Sequence, residues 1–354
     1  MRQFKILATV LGASLLVAAC GGSDKVQFTS QVSFGDSLSD VGTYKVGTVA
    51  ALGGGKYTVN SATAKNWTEV IASQINVVAP CAAQTGLLGD ATQGFSVPVV
   101  NYSACRNYAQ GGARVTNPVG PGNKLLGGSN AILGQMTVPI VTQIATHLAT
   151  VGGSFSGKEL VTVMAGGNDA LMNFATFGAT VGAGGNASTA GAAAVTAMGV
   201  AGAELAGYIK TQIVAKGAQY VAVVNLPDVS KTPFAYTYDA ATQGLINQMV
   251  TTFNTQLQTG LSGAAGVRIV DAYAVSRDQA ANPAKYGLSN VTTPACNLSA
   301  AANPLGSSLV CSAANVIAGD VSRYQFADSV HPTPYGYQLL ADAVSKEMSL
   351  AGWQ

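Results

Sequence analysis

Charge and histidine are the two scarce commodities in this sequence. Asp, Glu, Lys and Arg make up 10% of its 354 residues, far below the ~25% of an average soluble domain. The net charge is only +2 and no long basic run occurs, so the electrostatic footprint of a nucleic-acid binder is missing. His147 and His331 are the only histidines. That argues against a multi-histidine metal site and leaves two candidates for any imidazole chemistry. No Cys-x-x-Cys pair occurs, which removes the usual zinc spacing. Neither a metal nor an organic cofactor is expected. The 42 glycines follow no Gly-X-Y period and prolines number only 12, which excludes collagen. Apolar residues, by contrast, reach 48%, enough for a sizeable core and incompatible with global disorder.

Arg2 and Lys5 precede an uncharged run over residues 6–19, short of the ~20 apolar residues of a membrane-spanning helix. A positive start followed by a short apolar stretch fits an export signal. It ends in Val17-Ala18-Ala19-Cys20, before Gly21-Gly22-Ser23. This resembles a bacterial lipobox, which implies lipidation of Cys20; an ordinary signal peptide cleaved nearby is the alternative. The expected organisation is a signal over 1–19, a lipid-anchored tether over 20–27 and one folded domain over 28–354. Removing 1–19 takes away Arg2 and Lys5, so the net charge falls from +2 to 0. The expected location is the cell envelope, with a periplasmic or secreted protein as the alternative. The four remaining cysteines, Cys81, Cys105, Cys296 and Cys311, allow three pairings. Proximity favours Cys81–Cys105 and Cys296–Cys311, each closing a local loop in an oxidising compartment.

Strand-like apolar runs at 31–34, 97–102 or 107–109, 160–165, 220–225 and 267–271 alternate with helical patterns at 65–75, 139–151, 188–216, 241–259 and 334–348. Such alternation reads as a parallel sheet with helices on both faces. Residues 170–203 carry no charge, but Gly, Ala, Asn173 and Asn186 argue against a membrane span. Within them, 178–191 reads as a flexible loop before an Ala-rich helix. The segments around Cys81 and Cys296 read as insertions on the one domain.

A serine hydrolase needs a nucleophile, a base, usually an acid to orient the base, and donors for the oxyanion. The Gly-x-Ser-x-Gly elbow occurs nowhere in the chain. Instead Phe34-Gly35-Asp36-Ser37-Leu38-Ser39-Asp40 follows the first strand, and Asp328-Ser329-Val330-His331-Pro332-Thr333 precedes the last helix. Asn107-Tyr108-Ala109-Gln110-Gly111-Gly112-Ala113 and Ala165-Gly166-Gly167-Asn168-Asp169 lie between them. Taken singly, each has a plain structural reading: Ser37 as a helix N-cap, Gly112 as a turn glycine, Asn168 as a loop amide, Pro332 and Pro334 as a helix start.

Together, in this order, the four blocks resemble the GDSL (SGNH) hydrolase family. Val224-Asn225-Leu226-Pro227-Asp228 also looks like a stretch common in its members. The resemblance implies a flavodoxin-like three-layer α/β/α sandwich with a mostly parallel five-stranded sheet. It implies Ser37 as nucleophile, His331 as base and Asp328 as the group that orients the base. The oxyanion hole would be the N–H groups of Ser37 and Gly112 with the Asn168 amide. The implied activity is an esterase or lipase working through an acyl-enzyme on small-molecule or lipid-like esters. Phospholipase and carbohydrate acetylesterase activity are alternatives, and a non-catalytic surface-binding lipoprotein is a reading of another class. His147 is expected at a surface or interface. Asp36, Asp40, Asp169 and Asp228 are expected in turns, and Trp67 and Tyr57 in core packing more than in a cleft.

Overall fold

The computed structural model describes residues 25–354, so the expected export signal and Cys20 lie outside the described residues. Its strands are β1 (Gln31–Gly35), β2 (Gln84–Leu88), β3 (Ser96–Asn101), β4 (Leu160–Met164), β5 (Tyr220–Val224) and β6 (Val267–Val270). The α-helices are α1 (Gly47–Ala51), α2 (Trp67–Gln74), α3 (Gly128–Leu133), α4 (Ile140–Thr150), α5 (Gly167–Gly182), α6 (Ala187–Tyr208), α7 (Ala240–Leu261), α8 (Ala272–Ala281) and α9 (Pro334–Leu350).

Four strands form a parallel sheet in the order β1-β4-β5-β6. Their side chains alternate between two covered faces, as the two-residue period requires. Val161, Val163, Val221 and Val223 pack on Ile144 of α4, Leu205 of α6 and Phe253 of α7. Leu160, Met164, Ala222 and Val224 pack on Ile71 of α2 and on Tyr337 and Ala341 of α9. Covering both faces is why these strands read as nearly unbroken apolar runs.

The place of a fifth strand, on the free side of β1, is taken by an irregular strip. Ser33 N donates to Arg106 O at 3.0 Å, Tyr108 N to Ser33 O at 2.8 Å and Gln110 N to Gly35 O at 3.1 Å. Of the two sequence candidates for that position, 107–109 fills it. Residues 97–101 instead pair antiparallel with β2 in a two-stranded ribbon apart from the sheet. The chain therefore reverses direction across the sheet beside β1, and the carboxyl ends of β1 and β4 flank that switch point, where ligands bind in open α/β sheets.

Two expectations need correcting. Residues 178–191 are mostly helical: α5 runs to Gly182 and α6 starts at Ala187, with Asn186 Oδ1 capping it by accepting from Thr189 N at 3.0 Å. Small residues permit close helix approach here. A Cβ on Gly202 would come within 2.4 Å of the Phe253 carbonyl oxygen in α7. That tertiary packing overrides the weak helix propensity of glycine. His147, expected at a surface or interface, is fully buried. Ile140, Gln143, Ile144 and His147 all lie on the buried side of α4, at the i, i+3, i+4, i+7 spacing of a core-facing stripe. Both expected disulfides are present, Cys81–Cys105 and Cys296–Cys311, with Cα atoms 5.1 and 6.1 Å apart.

Candidate active site

β1 delivers Ser37 into a tight turn. Leu38 N donates to Asp36 Oδ1 at 3.0 Å and Ser39 N to Asp36 O at 3.1 Å. Asp40 Oδ1 accepts from the N–H groups of Gly42 and Thr43 at 2.8 and 2.7 Å. Its Oδ2 accepts from Gly111 N at 3.0 Å, so one carboxylate joins the Ser37 block to the Gly112 block. Asn107 Nδ2 adds a bond to Ser39 O at 2.9 Å, and Trp67 Nε1 donates to Ser39 Oγ at 3.2 Å. Burial pushes the Asp36 and Asp40 carboxyls up to about 6, against the opposing pull of the backbone N–H groups they accept from.

Gly112 takes φ +78°, and a Cβ there would sit 2.2 Å from Pro121 O. Conformation and space both demand glycine. Gly166 turns β4 into α5 at φ +109°, and a Cβ there would come within 2.4 Å of the Phe253 ring. Asn168 then falls in the first turn of α5, its Nδ2 donating to Ala113 O at 2.8 Å. An amide nitrogen has two N–H groups, so the second remains to be used. Beside it Asp169 accepts from Arg114 Nε and Val115 N, both at 2.9 Å. These bonds fix Gly112 and Asn168 relative to one another.

His331 closes the constellation from the turn before α9. Its Nε2 lies 2.8 Å from Ser37 Oγ, across 294 residues of sequence. Its Nδ1 lies 2.9 and 2.8 Å from the two Asp328 carboxylate oxygens. Asp328 also accepts from the backbone N–H groups of Val330, His331 and Ser308 at 3.0, 2.8 and 2.9 Å. Burial raises its pKa, but the facing imidazole and these donors outweigh burial and hold the carboxyl below the usual carboxylate range.

Ser37, Gly112, Asn168 and His331 line one cavity of about 260 Å3, with Asp328 behind the histidine. Leu38, Leu133, Leu171, Leu226, Pro227, Val229 and Val330 make its walls largely apolar. The structure thus brings together all five residues singled out for the site. Two contributors were not singled out. Ser308, in the loop closed by Cys296–Cys311, supplies an N–H to Asp328. Tyr57, weighed mainly as core, lines the cavity with its ring 4.7 Å from the His331 ring. No local pattern marks either, because each meets the site only through the fold.

A family model described as GDSL-like Lipase/Acylhydrolase matches residues 32–344. The chain belongs to this family. A GDSL esterase/lipase of Arabidopsis thaliana is 33% identical over 100 residues, 28% of this chain and 26% of the plant protein. Esterase EstA of Pseudomonas aeruginosa is 32% identical over 142 residues, 39% of this chain and 21% of that protein. These matches therefore span about a quarter or less of either relative. Among solved structures, a lipase from a goat rumen metagenome aligns over 90% of this chain and 97% of its own at 13% identity and TM-score 0.41. An acetylxylan esterase from Geobacillus stearothermophilus aligns over 91% and 95% at 12% identity and TM-score 0.40.

Proposed function

We propose that this chain is an exported serine ester hydrolase acting through an acyl-enzyme. The observation that carries the reading is the hydrogen-bonded line from Ser37 Oγ through His331 to Asp328, opening on an apolar cavity. Ser37 Oγ attacks the ester carbonyl carbon as His331 Nε2 takes its proton, and Asp328 stabilises the imidazolium that forms. The carbonyl oxygen becomes an oxyanion, received by the N–H groups of Ser37 and Gly112 and the second N–H of Asn168. His331 then passes its proton to the departing alkoxide. Water, activated by the same imidazole, attacks the acyl-enzyme and releases the carboxylic acid and Ser37.

The cavity favours a neutral ester with a hydrocarbon acyl chain. Among the described residues its lining includes no Lys or Arg to meet a phosphate, which weighs against a phospholipid headgroup. Leu133, Leu171, Leu226 and Val229 offer an acetylated sugar little to bond. Each methylene buried against such walls contributes ~0.8 kcal/mol. The test is a panel of p-nitrophenyl esters from acetate to palmitate, with triacylglycerol, phosphatidylcholine and an acetylated sugar, alongside labelling by a fluorophosphonate. Turnover of the longer aliphatic esters is expected above that of acetate. Labelling at Ser37 is expected too, lost in Ser37→Ala. If wild-type protein hydrolyses nothing and takes no label, the hydrolase reading fails and a non-catalytic binding role stands in its place.

Export rests on the residues before the described chain, where Val17-Ala18-Ala19-Cys20 supports a lipid anchor. Mass spectrometry of the mature N-terminus is expected to find a lipidated Cys20. An unmodified N-terminus on protein found only in the soluble fraction would remove the anchor and leave the catalytic reading intact.

A further inference from the structure

We infer that Tyr57 is a positioning residue for the base, its ring fixing one face of His331 and stabilising the imidazolium formed during turnover. The inference rests on the hydrolase reading above. The two ring centroids are 4.7 Å apart and the planes are inclined at 34°, so the imidazole lies over the π-face of the phenol and not beyond its edge. A cation over such a face is attracted by the ring quadrupole, most strongly when water is excluded. Tyr57 is 4% exposed.

Tyr57 is itself held at its hydroxyl and at its backbone. Gln135 Nε2 donates to the Tyr57 hydroxyl at 2.5 Å, and Tyr337 from α9 donates to the Tyr57 carbonyl oxygen at 3.1 Å. Leu309 and Val310, within the Cys296–Cys311 loop, pack in the same apolar cluster as Tyr57, and their neighbour Ser308 bonds to Asp328. One loop therefore supports the base through its acid and through its aromatic cover. Burial raises the phenol well above its ordinary value, so Tyr57 stays neutral and adds no charge of its own. The charged groups that act on His331 are Asp328, in direct contact, and Asp36, across the nucleophile turn; neither supplies a π-face.

The experiment measures kcat and KM for a p-nitrophenyl ester across pH in wild type, Tyr57→Phe and Tyr57→Leu. Tyr57→Leu is expected to lower kcat about tenfold with KM little changed. Loss of imidazolium stabilisation also moves the acid limb of kcat/KM to lower pH, because the base then gives up its proton more readily. Tyr57→Phe, which keeps the ring, is expected to retain most of kcat and the limb position. The limb does not depend on how much variant protein folds, so poor yield of Tyr57→Leu leaves the test intact. A Tyr57→Leu profile with the wild-type limb would overturn the inference. So would Tyr57→Phe shifting as far as Tyr57→Leu, since the hydroxyl and not the ring would then be the working part. Wild type without esterase activity or fluorophosphonate labelling would instead sink the hydrolase reading itself.

Discussion

The two histidines occupy two regions of one fold and illustrate opposite uses of the same side chain. His331 lies at the carboxyl edge of the sheet, with Nε2 on Ser37, Nδ1 on Asp328 and one ring face on Tyr57. His147 lies under β1 in a box of Phe34, Tyr108 and Phe155, with ring centroids 5.6, 5.3 and 4.7 Å away. Its Nδ1 is 3.3 Å from the Tyr108 hydroxyl, and its Nε2 has no partner. Burial lowers its pKa to about 4, helped by Arg106 and opposed by Glu159. An aromatic neighbour is common to both. What separates them is a carboxylate on one nitrogen and a cavity in front of the other. His331 can take up a proton and be stabilised in doing so; His147 is held neutral by its surroundings.

The sharpest way to break this comparison is to delete each imidazole in turn. His331→Ala is expected to cost at least about 10⁴-fold in kcat, as severe as Ser37→Ala, because nucleophile and base act as a unit. His147→Ala is expected to keep wild-type kcat per folded molecule while losing stability, since it opens a cavity in the aromatic box. Kinetics normalised by active-site titration with a fluorophosphonate separate the two effects. An inactive His147→Ala beside a fully active His331→Ala would reverse the assignment of the base.

The next effect in size concerns the charge that His331 chemistry creates. Asn168→Ala removes one oxyanion donor and is expected to lower kcat about 10²- to 10³-fold with KM little changed. The substitution also breaks the bond from Asn168 Nδ2 to Ala113 O. Asn168→Asp is therefore a useful second variant: it fills the same volume without the amide donor and should be no more active. Either variant turning over at the wild-type rate would remove Asn168 from the oxyanion hole.

Much of the site was legible because four short turn blocks, each ambiguous alone, occur together in an order that resembles one family. Asp328 and His331 are three residues apart and bond within their own turn. Gly112 announces a backbone that no other residue fits. The stripe that buries His147 was equally readable at 140, 143, 144 and 147, and the aromatic rings around it hold the imidazole inside. Ser308 was beyond reach, and Tyr57, weighed for the cleft, was read more as core, for a different reason. Ser308 meets Asp328 through its backbone, which carries no residue signature. Tyr57 reaches His331 only because α9 and the Cys296–Cys311 loop bring distant segments together. For the fold, apolar runs identified the sheet strands, while 178–191 misled because glycine and alanine can signal either flexibility or close helix packing.

The smallest expected effect sharpens the comparison from the His147 side, through stability against pH. A histidine whose pKa is about 4 when folded and ~6.5 when unfolded binds fewer protons in the folded state between those values. Stability must then fall as pH is lowered through that window. Asp36 and Asp40 work in the opposite sense. Their carboxyls, pushed up to about 6, take up protons in the folded chain first and add stability as pH falls toward the unfolded carboxylate range. The net slope of wild type therefore mixes both signs, and only a difference between proteins isolates the histidine. His147→Leu keeps an apolar side chain in the box and removes the titration. Urea unfolding of the two proteins at pH 7, 6, 5 and 4 is expected to show wild type losing about 2–3 kcal/mol relative to His147→Leu across that range. The difference should be flat above pH 7, where imidazole is neutral in both states. Parallel stability curves from pH 7 to 4 would mean that His147 accepts a proton in place, and the contrast between the two imidazoles would then rest on Ser37 and Asp328 alone.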